Sequence, residues 1–79
     1  MTESISFDGV EKLRKMKPLP KNWETLIDKY ISIKRFMVSV YRKRGIDTSD
    51  NEVMILKAIE IRDEIKLDVK YGLRLVKHG

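Results

Sequence analysis

Cysteine is absent from this 79-residue chain. That removes disulfides and thiolate metal sites together. Histidine occurs once, as His78 next to the final residue. A terminal side chain is a poor general base, because a base must be held within reach of its proton. Histidine-dependent catalysis is therefore not expected. Glycine is sparse, at Gly9, Gly45, Gly72 and Gly79, and no Gly-rich phosphate loop can be drawn from positions so dispersed. Proline is confined to Pro18 and Pro20. No apolar run approaches the ~20 residues that cross a bilayer. The opening Met-Thr-Glu-Ser-Ile-Ser-Phe-Asp-Gly is acidic, unlike a secretory leader. These absences predict a cytoplasmic, non-catalytic protein with no cofactor and no metal.

What is present is charge. Charged residues make up 37% of the chain and leave a net charge of +5. Lys, Arg, Glu and Ile abound, while Gln is missing and Ala occurs only at position 58. Such a balance fits a hot-growing source or an AT-rich genome. A chain this short forms one domain, over 1–79, and buries only about 60% of its unfolded surface. Without disulfides or metals, a partner or self-association is the expected extra source of stability.

Hydrophobic spacing divides the chain into three helical segments. In the first, Asp8 and Glu11 are spaced as a capping pair, and Val10, Leu13 and Met16 share one side. Lys17-Pro-Leu-Pro20 must end it, since each proline disfavours helix in the residue before it. Residues 1–20 are thus a short docking or flexible segment. The second helix runs from the N-cap Asn22 to about Arg44. Trp23, Leu26, Ile27, Tyr30, Ile33, Met37, Val40 and Tyr41 recur along it at helical spacing. Gly45 is placed to close it in the left-handed conformation. Ser49-Asp-Asn-Glu52 reads as a capping box for the third helix, and the short link between the two implies an antiparallel hairpin. Ile27, Tyr30, Met37, Ile55, Ile59 and Ile65 are the predicted core.

Residues 65–77 leave two readings open. As helix, Val69, Leu73 and Val76 continue the Ile55–Ile65 face, with Ala58 and Gly72 as small residues on it. The same stretch also alternates with period two, so a β-hairpin turning at Lys70-Tyr71-Gly72 is the second reading, with Asp68 across from Arg74. The fold class is mostly α, an antiparallel helical hairpin plus a short N-terminal helix. The alternative is α+β with a C-terminal β-hairpin.

Three surfaces are candidates for function. Lys12, Arg14, Lys15 and Lys17 form one basic cluster, and Arg35, Arg42, Lys43 and Arg44, with Lys34 beside them, form another. If both lie on one side they make an electrostatic footprint for phosphate, as in nucleic acid, or for an acidic protein. The stripe of the second helix spans about half its circumference, more than one neighbour covers. That surplus predicts a protein-binding edge drawn from Trp23, Ile31, Lys34, Phe36 and Val38. Lys34 and Arg62 fall within apolar stripes, where a core does not keep unpaired charges. Glu60, Glu64 and Asp68 share a ridge, but interspersed Arg62 and Lys66 make it a solvated face rather than a metal site. A membrane-surface role is disfavoured by Glu24 and Asp28 on the polar side of the amphipathic helix.

The expected function is an accessory or adaptor subunit that binds a larger protein, or itself as a homodimer, in DNA or RNA processing. The alternative is direct, sequence-independent nucleic-acid binding. In general character, short, basic and rich in Ile and Lys, the chain is similar to small accessory proteins of thermophile replication or transcription complexes.

Overall fold

A computed structural model describes residues 5–77, and within them three helices: α1 (Phe7–Lys15), α2 (Trp23–Lys43) and α3 (Ser49–Lys70). α2 and α3 form the antiparallel hairpin, and α1 packs against both. The register of the hairpin is fixed by two cross-helix ion pairs. Glu24 meets Lys66 at 2.7 Å and Asp28 meets Arg62 at 2.8 Å, so four residues forward on α2 match four residues back on α3.

Each helix end has a local cause. α1 starts two residues earlier than Asp8–Glu11 predicts. Ser6 is the N-cap, its hydroxyl accepting the Gly9 N–H at 3.3 Å, and Asp8 sits in the first turn where the helix dipole favours an acid. Ile5 folds over the Gly9 backbone so closely that a Cβ there would lie 3.0 Å from the Ile5 Cβ. α2 begins after Asn22 as expected, although the Asn22 side chain makes no capping bond. The predicted capping box at Ser49 does not form, and the helix starts one residue earlier. Thr48, buried, is the N-cap, and its hydroxyl donates to Glu52 at 3.0 Å. Ser49 instead donates its N–H and hydroxyl to the Asp47 carboxylate, at 3.0 and 2.7 Å. Those bonds stabilise the ionised form and hold Asp47 below its usual carboxylate range.

Both long helices close with the same motif. At the end of α2, Gly45 (φ 73°) donates to Arg42 and Ile46 donates to Tyr41. At the end of α3, Gly72 (φ 72°) donates to Val69 and Leu73 donates to Asp68. These are Schellman closures, which need a residue without a Cβ in the left-handed region.

The β-hairpin over 65–77 is therefore not formed. Ile65 is buried and Val69 packs against the core at helical spacing, so the helical pattern prevails to Lys70. Gly72 turns left-handed to stop a helix rather than to join two strands. Nor does the helix continue through Leu73 and Val76: the tail leaves α3 extended and runs beside the Pro-Leu-Pro segment. Leu19 has no exposed surface. Its N–H donates to Leu75 at 2.9 Å, and its carbonyl accepts from Lys77 at 2.7 Å. Pro18 and Pro20 carry no N–H, so this pairing satisfies the one donor of that triplet.

Arg74 strengthens the same junction. Its guanidinium pairs with Asp68 at 3.1 Å and donates to the carbonyls of Leu13 and Arg14, at the C-terminal end of α1. A cation there gives the Arg14 carbonyl a donor and adds a second one to the Leu13 carbonyl, which also accepts the Met16 N–H.

The core joins Val10 and Leu13 of α1, Leu19, five residues of α2 (Trp23, Ile27, Tyr30, Ile31, Val38) and four of α3 (Ile55, Ala58, Ile61, Ile65). Of the predicted core, Ile27, Tyr30, Ile55 and Ile65 are buried, whereas Met37 and Ile59 are half-buried at the margins. Ile61, outside the predicted face, is buried as well.

Candidate protein-binding face

The two flanks of the hairpin differ in chemistry. One flank is a row of ion pairs: Glu24–Lys66, Asp28–Arg62 and Arg42–Glu52. This row accounts for the charge at Arg62. Its bond to Asp28 raises the guanidinium pKa further and keeps it charged at any ordinary pH. Lys34 is likewise satisfied within the chain. Its ammonium donates to Asn51 at 3.2 Å and lies 5.9 Å from the centre of the Tyr30 ring. Neither residue requires a partner molecule to explain its place in an apolar stripe.

The other flank is apolar and open. Ile33, Phe36, Met37 and Val40 lie at i, i+3, i+4 and i+7 on α2. Phe36 is 70% exposed and Ile33 41% exposed, with Met37 and Val40 half-buried. Among the described residues no helix covers this row. At its lower end a cavity of about 450 Å³ opens between the start of α1, α2 and α3, lined by Ile5, Phe7, Tyr30, Ile33, Lys34 and Met54 together with Ser6 and Asp8. Tyr30 forms the deep wall. Its ring stands 6.1 Å from that of Phe7, and its buried hydroxyl has no hydrogen-bond partner among the described residues. Burial pushes its pKa up, so the hydroxyl stays a donor.

The predicted interface is thus divided. Trp23, Ile31 and Val38 are core residues, buried against the other helices, and offer little surface to a partner. The α2–α3 contact covers the edge that holds Ile31 and Val38. Phe36 remains available, and Lys34 lines the cavity beside it. The exposed row on the Phe36 side includes Ile33, which the sequence reading put in the general stripe. The signal was there in part, since Phe36 and Val40 both fall on that edge of the helical wheel.

The basic residues do not merge into one footprint. Arg14 pairs with Glu64 at 3.3 Å, and Arg42 pairs with Glu52. Those two acids stand about 18 Å apart along α3, at 1.5 Å per residue. The first cluster therefore lies toward the open end of the hairpin and the second at its closed end. Lys12, Lys15, Lys17, Arg35, Lys43 and Arg44 are exposed and make no ion pair among the described residues. Carboxylates of Asp8 and Glu11 interleave with Lys12 and Lys15.

The acidic ridge of α3 is used internally, Glu64 by Arg14 and Asp68 by Arg74. Among the described residues no three His, Cys, Asp or Glu side chains converge. His78 lies outside the described residues. No helix of the described residues is long and apolar enough to cross a membrane. No family model, curated protein or solved structure matches this chain. Its functional reading therefore rests on its own surface.

Proposed function

We propose that this chain is a non-catalytic accessory or adaptor subunit that docks on a larger protein in the cytoplasm, in the service of DNA or RNA processing. One observation carries the reading. Phe36 is 70% exposed at the centre of an apolar row on the outer face of α2. Large aromatic side chains of this kind are the anchors of protein interfaces. The nucleic-acid context is supported by the net charge of +5 and by the cations that make no ion pair among the described residues.

The test is affinity capture from the native source with the unmodified chain and with Phe36→Ser, followed by mass spectrometry. A partner retained by the first and lost by the second, at equal thermal stability, is the expected result. Identical captures would sink the reading.

Direct nucleic-acid binding is the second reading, favoured by the unpaired Lys43 and Arg44 at one end and Lys12, Lys15 and Lys17 at the other. It predicts retention on heparin or DNA at low salt and steep loss as salt rises. Docking through an apolar row survives moderate salt.

A further inference from the structure

We infer that the outer face of α2 docks an amphipathic helix of a partner protein, apolar along one side and acidic on its flanks. The inference rests on the adaptor reading and specifies the chemistry of what it binds.

The first ground is spacing. Ile33, Phe36, Met37 and Val40 are the i, i+3, i+4, i+7 set by which one helix lies against another. Ile33 is also a wall of the 450 Å³ cavity, so a helix packed along the row meets a recess at one end. That recess is lined chiefly by apolar side chains and suits a large apolar anchor from the partner.

Charge is the second ground. α2 carries only two acids, Glu24 and Asp28, and both are turned to the opposite flank and paired with Lys66 and Arg62. On the Phe36 side the charged neighbours from α2 are Lys29 and Lys43, one heptad before and after Phe36. Lys34 stands at the cavity. Asp8 is the single carboxylate lining that cavity among the described residues. A partner with acidic flanks is complementary to this rim, and one with basic flanks is repelled.

The same charges argue against other occupants. A second copy placed across a two-fold axis at Phe36 would set Lys29 of each chain against Lys43 of the other. Nucleic acid would gain nothing from the apolar row. A membrane surface is a poor match to a row only about 10 Å long, far narrower than the continuous apolar face by which interfacial helices bind.

The experiment is a selection from displayed 18-residue helical peptides with a fixed apolar face and randomised flanks. The baits are the unmodified chain, Phe36→Ser, and the double variant Lys29→Glu with Lys43→Glu. The unmodified chain should enrich Asp and Glu at the flanks. The double variant should bind the best acidic peptide about tenfold more weakly at low salt, as for several rim charge pairs reversed. It should enrich Lys and Arg instead. Phe36→Ser should enrich nothing, while its thermal midpoint stays that of the parent. Peptides bound through Phe36 without charge bias would overturn the inference and leave the adaptor reading standing. No enrichment over Phe36→Ser would remove the docking face, and both readings with it. Two controls can also overturn it. One is a dimer in sedimentation that Phe36→Ser dissociates. The other is Phe36-dependent binding to vesicles of phosphatidylcholine and phosphatidylserine.

Discussion

Arg74 joins α1, α3 and the tail through one guanidinium, and its side chain is only 10% exposed. Removing it strands the part-buried Asp68 and takes a donor from the Leu13 and Arg14 carbonyls at the end of α1. Hydrogen bonds to charged groups contribute about 1.5–3 kcal/mol each. Arg74→Ala should therefore lower stability by roughly 2–3 kcal/mol, a fall of roughly 10–20 °C in Tm for a domain of this size. Arg42→Ala, which breaks an exposed pair with Glu52, should cost at most about 1 kcal/mol. Equal losses in calorimetry would show that Arg74 is not the junction described. Asp47 makes a different prediction, in pH. Its pKa is lower folded than unfolded, so its contribution is present above the unfolded value and disappears as pH falls through the folded one. Asp47→Ala should be less stable than the parent at neutral pH. The two melting curves should converge below the usual carboxylate range. A gap that persists into strong acid would show that the Asp47 bonds to Ser49 do not depend on ionisation.

At the scale of elements, the two Schellman closures allow a paired comparison. An L-residue in the left-handed region costs roughly 1–2 kcal/mol, and there is open space around both glycines. Gly45→Ala and Gly72→Ala should each destabilise by about that amount in chemical denaturation. Only Gly72→Ala should also loosen the tail, seen as faster exchange of the Leu19 amide. If both variants speed Leu19 equally, Gly72 does not direct the tail. These closures also show what was legible in the sequence. Gly45, the α2 stripe and the short link were readable because their causes lie within a turn of chain. The caps at Ser6 and Thr48 were misplaced by one or two residues because adjacent Ser, Thr and Asp side chains compete for the same N–H groups. The tail was not legible, because Leu19 selects Leu75 and Lys77 across almost the whole chain. The candidate face was half legible. A helical wheel put Phe36 and Val40 on one edge and Ile31 and Val38 on the other, but it could not say which edge α3 would cover. Ile61 was missed for the same reason: α3 buries it on the side away from the expected face.

The whole molecule is long and thin, 44 × 27 × 17 Å, with a radius of gyration of 13.9 Å. A compact domain of this length would have roughly 12 Å. Its accessible surface, 5916 Å², exceeds the roughly 5,000 Å² typical of its mass. Part of that excess is the uncovered flank of α2, and a partner helix laid there would bring the ratio of surface to core toward that of an ordinary domain. Other exposed apolar side chains stand at the open end of the hairpin (Tyr71, Leu73 and Leu75), along α3 (Val53, Leu56 and Leu67), and at Met16 and Ile46.

The pairing of Leu19 with the tail also bears on the order in which the chain folds. The bridge between Leu19 and Val76 closes a loop of about 57 residues. The hairpin closes through a short link, so its contacts are the more local and should form first. The clasp at residue 19 gains its two backbone bonds only after α2 and α3 have brought both of its halves to the same end. It should be the last part to lock and the first to open. Native-state hydrogen exchange would then find the Leu19 and Lys77 amides opening by a sub-global route, at lower free energy than the mid-helix amides of Ile27 and Ile61. Coincident opening energies would mean that the clasp and the hairpin form one cooperative unit.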